Sequence, residues 1–167
     1  MTDYNRSEEA QEAFKRKGRP KNPIKFKLAL NVEQKKAKNQ ILHNTVTVLR
    51  GKAGSGKSLL AAQIALDLLF TKEVEKVLIT RPTVVAGEDI GFLPGGIDDK
   101  LAPFTAPVYE NMHRLYDKVK IEKLIEEGRI EIVPVSFMRG RNFTDCLVVV
   151  DESQNLTDVQ TELILTR

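Results

Sequence analysis

The sequence predicts an α/β fold built around a mainly parallel sheet. Short apolar runs recur at Thr45–Leu49 (TVTVL), Lys76–Thr80 (KVLIT), Ile130–Val135 (IEIVPV) and Cys146–Val150 (CLVVV), each of strand length and rich in β-branched residues. Segments of helical length separate most of them. The runs are apolar nearly throughout, as strands are when helices cover both faces of a parallel sheet. The 167 residues leave room for one ordinary domain, and 41% hydrophobic and 29% charged residues, with a mean hydropathy of −0.27, match a soluble globular chain.

The elements follow in order. Residues 1–27 form a basic arm, with eight Lys or Arg against four acids; seven of those cations fall between Lys15 and Lys27 without one acid. Such a run attracts phosphate backbones by counterion release, or serves as a solvated, partly flexible tail. The remaining 140 residues carry 18 basic and 19 acidic groups, a slightly acidic domain over 28–167. NVEQKKAKNQILH (31–43) suits an exposed helix, and the TVTVL run then gives the first strand. Ser58–Phe70 (SLLAAQIALDLLF) is apolar on most faces and reads as a buried helix. Lys76–Thr80 is the second strand, ended by Arg81-Pro82. EDIGFLPGGIDDKL (88–101) is turn-rich, and Phe92 and Leu93 beside Pro94 would pin this connection to the domain. Residues 107–127 have helical character, with Gly128 as the C-terminal glycine. The third and fourth strands follow, and Asp158–Leu165 begins another helix. His43 and His113 read as ordinary helix residues, and the single cysteine, Cys146, as a small core residue.

Several classes are excluded. One cysteine allows no internal disulfide and no Cys-rich metal site. No apolar run approaches the roughly 18 residues that span a membrane. The first residues offer no apolar stretch for a signal peptide, so the expected location is the cytoplasm. Aromatic residues make up 6% with no Trp, which argues against base stacking as the main mode of any nucleic-acid binding.

The sharpest signal is Gly51-Lys52-Ala53-Gly54-Ser55-Gly56-Lys57-Ser58, which satisfies G-x-x-x-x-G-K-[ST] between a predicted strand and a predicted helix. Glycines let successive N–H groups turn toward one anion, and the helix that follows adds its positive N-terminal end. Lys57 would reach the β- and γ-phosphates and the Ser58 hydroxyl would hold Mg²⁺, so Gly51, Ala53, Gly54, Ser55, Gly56, Lys57, Ser58 and Leu59 are the candidate contacts to a nucleoside triphosphate. An acid should complete the site from the carboxyl end of another strand. Leu147–Val150 followed by Asp151-Glu152 supplies it: Asp151 for the magnesium shell, Glu152 to polarise the attacking water. A glutamate beside the magnesium acid favours hydrolysis over transfer to an organic acceptor. Ser153, Gln154 and Asn155, in the next turn, are placed to sense the γ-phosphate.

Together with these two motifs, ITRPTVVAGEDIGFLPG (79–95), FMRGR (137–141) and VVVDESQN (148–155) resemble the PhoH family, the phosphate-starvation-inducible ATPases also found in many phages. The resemblance runs from about Asn31 to Arg167. It implies a three-layer P-loop NTPase fold of the RecA and superfamily 1 helicase type, hydrolysis of ATP with Mg²⁺, single-stranded RNA as a partner, and assembly into rings. By the same resemblance Gln34 would read the adenine edge, its amide both donating and accepting, although an exposed helix glutamine would look the same. Arg81 and Thr83 would touch a single-stranded phosphate backbone. Arg139 and Arg141 would serve nucleic acid, the γ-phosphate or a neighbouring subunit's nucleotide.

The sequence departs from the family at its end. There the helix after the magnesium acid leads into a glycine-aspartate-glutamine strand that lies between the strand feeding the phosphate loop and the strand bearing Asp151. The 167 residues stop at Thr166-Arg167, before it, so the expectation is a sheet with core strands missing, a chain that is a fragment, and poor hydrolysis or solubility when expressed alone. Two alternatives stand beside the RNA-linked ATPase. One is a nucleotide- or RNA-binding chain without turnover. The other is a P-loop nucleoside kinase of thymidine-kinase type, which shares a DE-x-Q pattern but usually carries a cysteine-rich zinc lid.

Overall fold

A computed structural model describes residues 25–82 and 97–166. The basic arm before Lys25, Thr83, and the Phe92-Leu93-Pro94 turn lie outside the described residues. Helix α1 (Val32–His43) starts where Asn31 caps it: the Asn31 side chain accepts from the Gln34 N–H at 2.8 Å while the Gln34 side chain accepts from the Asn31 N–H at 3.1 Å. This reciprocal capping box fixes the helix start. None of its residues is buried, in keeping with its polar sequence.

Helix α2 (Lys57–Phe70) is buried along two stripes. Leu60, Ile64 and Leu68, spaced four apart, pack with Leu30, Ala37, Ile41, Leu42 and Leu49 beneath α1. Ala62, Ala65, Leu66 and Leu69 face the sheet. Two contacting layers explain why this helix is apolar on most of its circumference.

The described sheet has three strands, β1 (Lys76–Arg81), β2 (Ile130–Pro134) and β3 (Cys146–Val150), in the order β2-β1-β3. All pairings are parallel, with Thr80 opposite Val133 on one side and Val150 on the other. The crossover from β1 to β2 runs through α3 (Ile97–Leu115) and α4 (Lys118–Glu126). Val77, Ile79, Ile130, Ile132, Leu147 and Val149 share one face of the sheet and meet α2, Val108, Met112 and Leu115 of α3, and Ile121 and Leu124 of α4 in the main core. The opposite face holds Leu78 and Thr80, both buried, together with Lys76 and Glu131. Helix α5 (Asp158–Leu165), with a capping box of Thr157 and Gln160, rests against the 3₁₀ turn Val135–Met138 that follows β2. The fold is mixed α/β with an all-parallel described sheet, as expected. No described helix is long and apolar enough to cross a membrane.

The structure differs from the sequence reading in three places. Thr45–Leu49 forms no strand. Its residues still alternate, with Leu49 inward and Val46 and Val48 61% and 72% exposed, but no strand lies beside them among the described residues to accept a ladder. The Thr47 hydroxyl is buried there without a partner. The outer edge of β3 is likewise unpaired among the described residues, and its five residues are only half-buried, whereas β1 at the centre is buried through Val77–Thr80. Second, the helix expected at 107–127 is two helices. The chain breaks at Tyr116-Asp117, where Asp117 adopts an extended backbone (φ −67°, ψ 128°) and caps α4 by accepting from the Lys120 N–H at 3.1 Å. Tyr116 lodges between Phe26 and Phe70 at the break. Third, residues 97–101, expected in turns, open α3. Gly128 ends α4 as expected: at φ +65° it lets its own N–H and that of Arg129 close on the carbonyls of Ile125 and Leu124.

Candidate functional site

The loop of residues 51–56 enters α2 at the carboxyl end of the sheet, where parallel α/β folds place ligands. Gly54 and Gly56 have φ of +74° and +84°, a backbone that L side chains rarely adopt. They curl the loop into the start of α2, with the Ser55 N–H closing on the Lys52 carbonyl at 3.3 Å, and the first N–H groups of that helix have no intrahelical acceptor. A Cβ on Gly54 would meet nothing within 4 Å, whereas one on Gly56 would lie 3.0 Å from Nε2 of Gln34. The α1 start is therefore packed against the loop, with the Gln34 side chain joining its cap to the glycine. Lys57 Nζ donates to the carbonyls of Gly51 and Lys52, both at 3.0 Å, folding the ammonium back over the loop. Leu59 turns the other way and packs against the core, while Ala53 and Ser55 are exposed on the loop.

The second motif arrives from β3. The Asp151 N–H donates to the Thr80 carbonyl at 2.9 Å, extending the β1–β3 ladder by one residue and fixing the carboxylate at the strand end. Ser58 Oγ donates to Asp151 Oδ1 at 2.7 Å across 93 residues of sequence. A hydroxyl and a carboxylate held together at the mouth of a glycine loop are hard oxygen donors, the set that suits Mg²⁺. Ser58 and Asp151 also line a small cavity with Ala62, Ile79, Val108 and Val149, and with Asn111 of α3. Sequence reasoning missed Asn111, because a lone Asn in a helix carries no motif and reaches the Ser58–Asp151 cavity only through the packing of α3 on α2 and β2.

Glu152 has a left-handed backbone (φ +53°), which turns the chain sharply after β3 into the 3₁₀ turn Ser153–Asn155. Its carboxylate lies 3.9 Å from the Arg81 guanidinium at the end of β1 and accepts a hydrogen bond from Gln154. The structure thus brings together Gly51, Gly54, Gly56, Lys57, Ser58, Asp151, Glu152, Gln154, Arg81 and Gln34 around one end of the sheet. Arg139 is exposed after the 3₁₀ turn that follows β2.

Arg141 is engaged elsewhere. Its guanidinium pairs with Glu131, which also accepts from Lys76 Nζ at 2.6 Å, so the three form a cluster on the sheet face away from the main core. Burial alone would raise the Glu131 carboxyl, but its bonds to Lys76 and Arg141 outweigh that and hold it below the usual carboxylate range. Burial pushes the Cys146 thiol up, but the residue is only half-buried on β3, the edge strand of the described sheet, and is not the core residue expected from the sequence.

Comparison with known proteins identifies the family. The family model described as PhoH-like protein matches residues 28–167. The chain belongs to the PhoH family. Among curated PhoH relatives, the PhoH-like protein of Synechocystis sp. is 43% identical over 127 residues, covering 76% of this chain and 39% of its own length. The PhoH-like protein of Bacillus subtilis is 43% identical over 117 residues, 70% of this chain and 37% of its own length. Protein PhoH of Escherichia coli K12 is 38% identical over 154 residues, 91% of this chain and 43% of its own length. The chain thus spans about two-fifths of the length of these PhoH relatives.

Proposed function

We propose that this chain binds ATP with Mg²⁺ at the 51–58 loop, hydrolyses it, and couples that reaction to single-stranded RNA. The observation that supports the reading most is the Ser58–Asp151 hydrogen bond, which joins two motifs distant in sequence into one oxygen-donor pair beside the loop. The loop and the start of α2 present N–H groups to the phosphates. Lys57 exchanges its two loop carbonyls for β- and γ-phosphate oxygens, a trade of neutral acceptors for charged ones that strengthens each bond. Ser58 and Asp151 are the residues that would hold Mg²⁺, which when bound draws charge from the γ-phosphate. Glu152 orients a water and takes its proton. The water oxygen bonds to the γ-phosphorus as the bond to the β–γ bridging oxygen breaks, giving ADP and inorganic phosphate. Arg81, at the same end of the sheet, is a cation for the RNA backbone.

Phosphate release with and without a single-stranded oligouridylate, at several salt concentrations, tests the proposal. Turnover that RNA raises at low salt supports it; a rate indifferent to RNA at low salt removes the RNA half. Glu152→Gln should bind ATP and release no phosphate, and normal release would undo the assignment. One observation favours a second reading, binding with little turnover: Glu152 is held by Arg81 and Gln154. ATP binding at equilibrium without phosphate release would select it.

A further inference from the structure

The residue asked to handle the water and the residue offered to RNA are partners of each other. Glu152 Oε1 lies 3.9 Å from Arg81 Nη2, and Glu152 Oε2 accepts from Gln154 Nε2, so both carboxylate oxygens face donors. The backbone makes this contact a consequence of the fold. Arg81 is the last residue of β1, Asp151 extends β3 by its bond to the Thr80 carbonyl, and the left-handed Glu152 then turns the chain at the level of Arg81. We propose that Arg81 is a positioning residue that holds Glu152 aside, and that a single-stranded RNA phosphate, by drawing Arg81 away, frees Oε1 to accept from water while Gln154 still fixes Oε2. This rests on the hydrolytic, RNA-linked function proposed above.

The magnitudes suit a switch. The pair is partly exposed, with side-chain exposures of 31% and 41%, and lies at the long end of ion-pair distances. Such a pair shifts an equilibrium by up to about five-fold, weak enough for a phosphate matched to the guanidinium fork to displace it. Linkage makes the effect reciprocal: whatever the pair costs RNA binding, bound RNA costs the pair by the same factor.

A nucleotide-free binding cycle tests this on the 167-residue chain, by anisotropy of a fluorescein-labelled oligouridylate. Glu152→Gln should tighten RNA binding about two- to five-fold, Arg81→Gln should weaken it, and the double variant should bind like Arg81→Gln alone. A gain from Glu152→Gln that persists in the Arg81→Gln background would be a general charge effect and would overturn the proposal. So would no gain at all, or no RNA binding by either the unaltered chain or Glu152→Gln. In phosphate release, Arg81→Gln should raise kcat without RNA about two- to five-fold at unchanged KM; a kcat at or below that of the unaltered chain would also overturn it. If the unaltered chain releases no phosphate in any condition, hydrolysis fails as a function, and the RNA cycle still decides whether Arg81 and Glu152 restrain each other.

Discussion

Lys57 illustrates how much of this site rests on single side chains. Its ammonium donates to two carbonyls of its own loop, so the lysine organises the loop as well as offering charge to a phosphate. Gly56 is as sensitive. Gly56→Ala combines a φ of +84° with a contact at 3.0 Å to the Gln34 amide, whereas Gly54→Ala adds a Cβ in open space at φ +74°. Both carry about 1 kcal/mol of backbone strain, and only the first must also displace Gln34. We expect Gly56→Ala to weaken ATP binding at least several-fold more than Gly54→Ala, measured by titration calorimetry; equal losses would show that the Gln34 contact contributes nothing. Glu131 gives a pH prediction. Its folded carboxyl sits below its unfolded value, so its stabilising contribution is full above the unfolded carboxylate pKa of about 4.3 and lost as pH falls through the folded value. Denaturant midpoints should therefore fall more steeply with acid below about pH 4.5 than those of Glu131→Gln. Parallel profiles would contradict the Lys76–Glu131–Arg141 cluster. The loop residues, Asp151 and Glu152 were legible because their spacing carries a mechanism. The Arg141 pairing was not, since an arginine at that distance from β2 reads equally as a phosphate ligand or a partner for Glu131.

Among the elements, α2 and the α3–α4 break carry the clearest lessons. The two apolar stripes of α2 serve α1 on one side and the sheet on the other, and its burial was evident from its composition. Leu66→Ala, at a fully buried position facing the sheet, should cost about 2–5 kcal/mol in denaturant unfolding; a loss under about 1 kcal/mol would mean that the packing is looser than described. The break at Tyr116-Asp117 was not legible, because neither residue is a Gly or Pro and the helical periodicity continues across it. What ends α3 is tertiary: Tyr116 stays between Phe26 and Phe70, and Asp117 is then free to cap α4. Removing that cap with Asp117→Ala should cost about 1 kcal/mol, read from the same unfolding curves, with Asp117→Asn close to neutral.

Across the whole molecule, the parallel order β2-β1-β3 delivers Arg81, Asp151 and the phosphate loop to one end of the sheet, and that convergence was foreseeable from strands ending in charged residues. The TVTVL run misled because strand propensity needs a neighbour to become a strand. With Val46 and Val48 largely exposed, Val46→Thr and Val48→Thr should each change stability by less than about 0.5 kcal/mol; a loss above about 2 kcal/mol would mean that these side chains are covered in solution. We propose that the 51–58 loop, Ser58 and Asp151 form one site for the phosphates of a nucleotide with Mg²⁺. Calorimetric titration of ATP into the chain, into Lys57→Ala and into Asp151→Asn, with Mg²⁺ and with EDTA, tests it most directly. Binding should be abolished by Lys57→Ala, weakened by EDTA, and lose its Mg²⁺ dependence in Asp151→Asn. Equal affinity in all three proteins, indifferent to Mg²⁺, would contradict it.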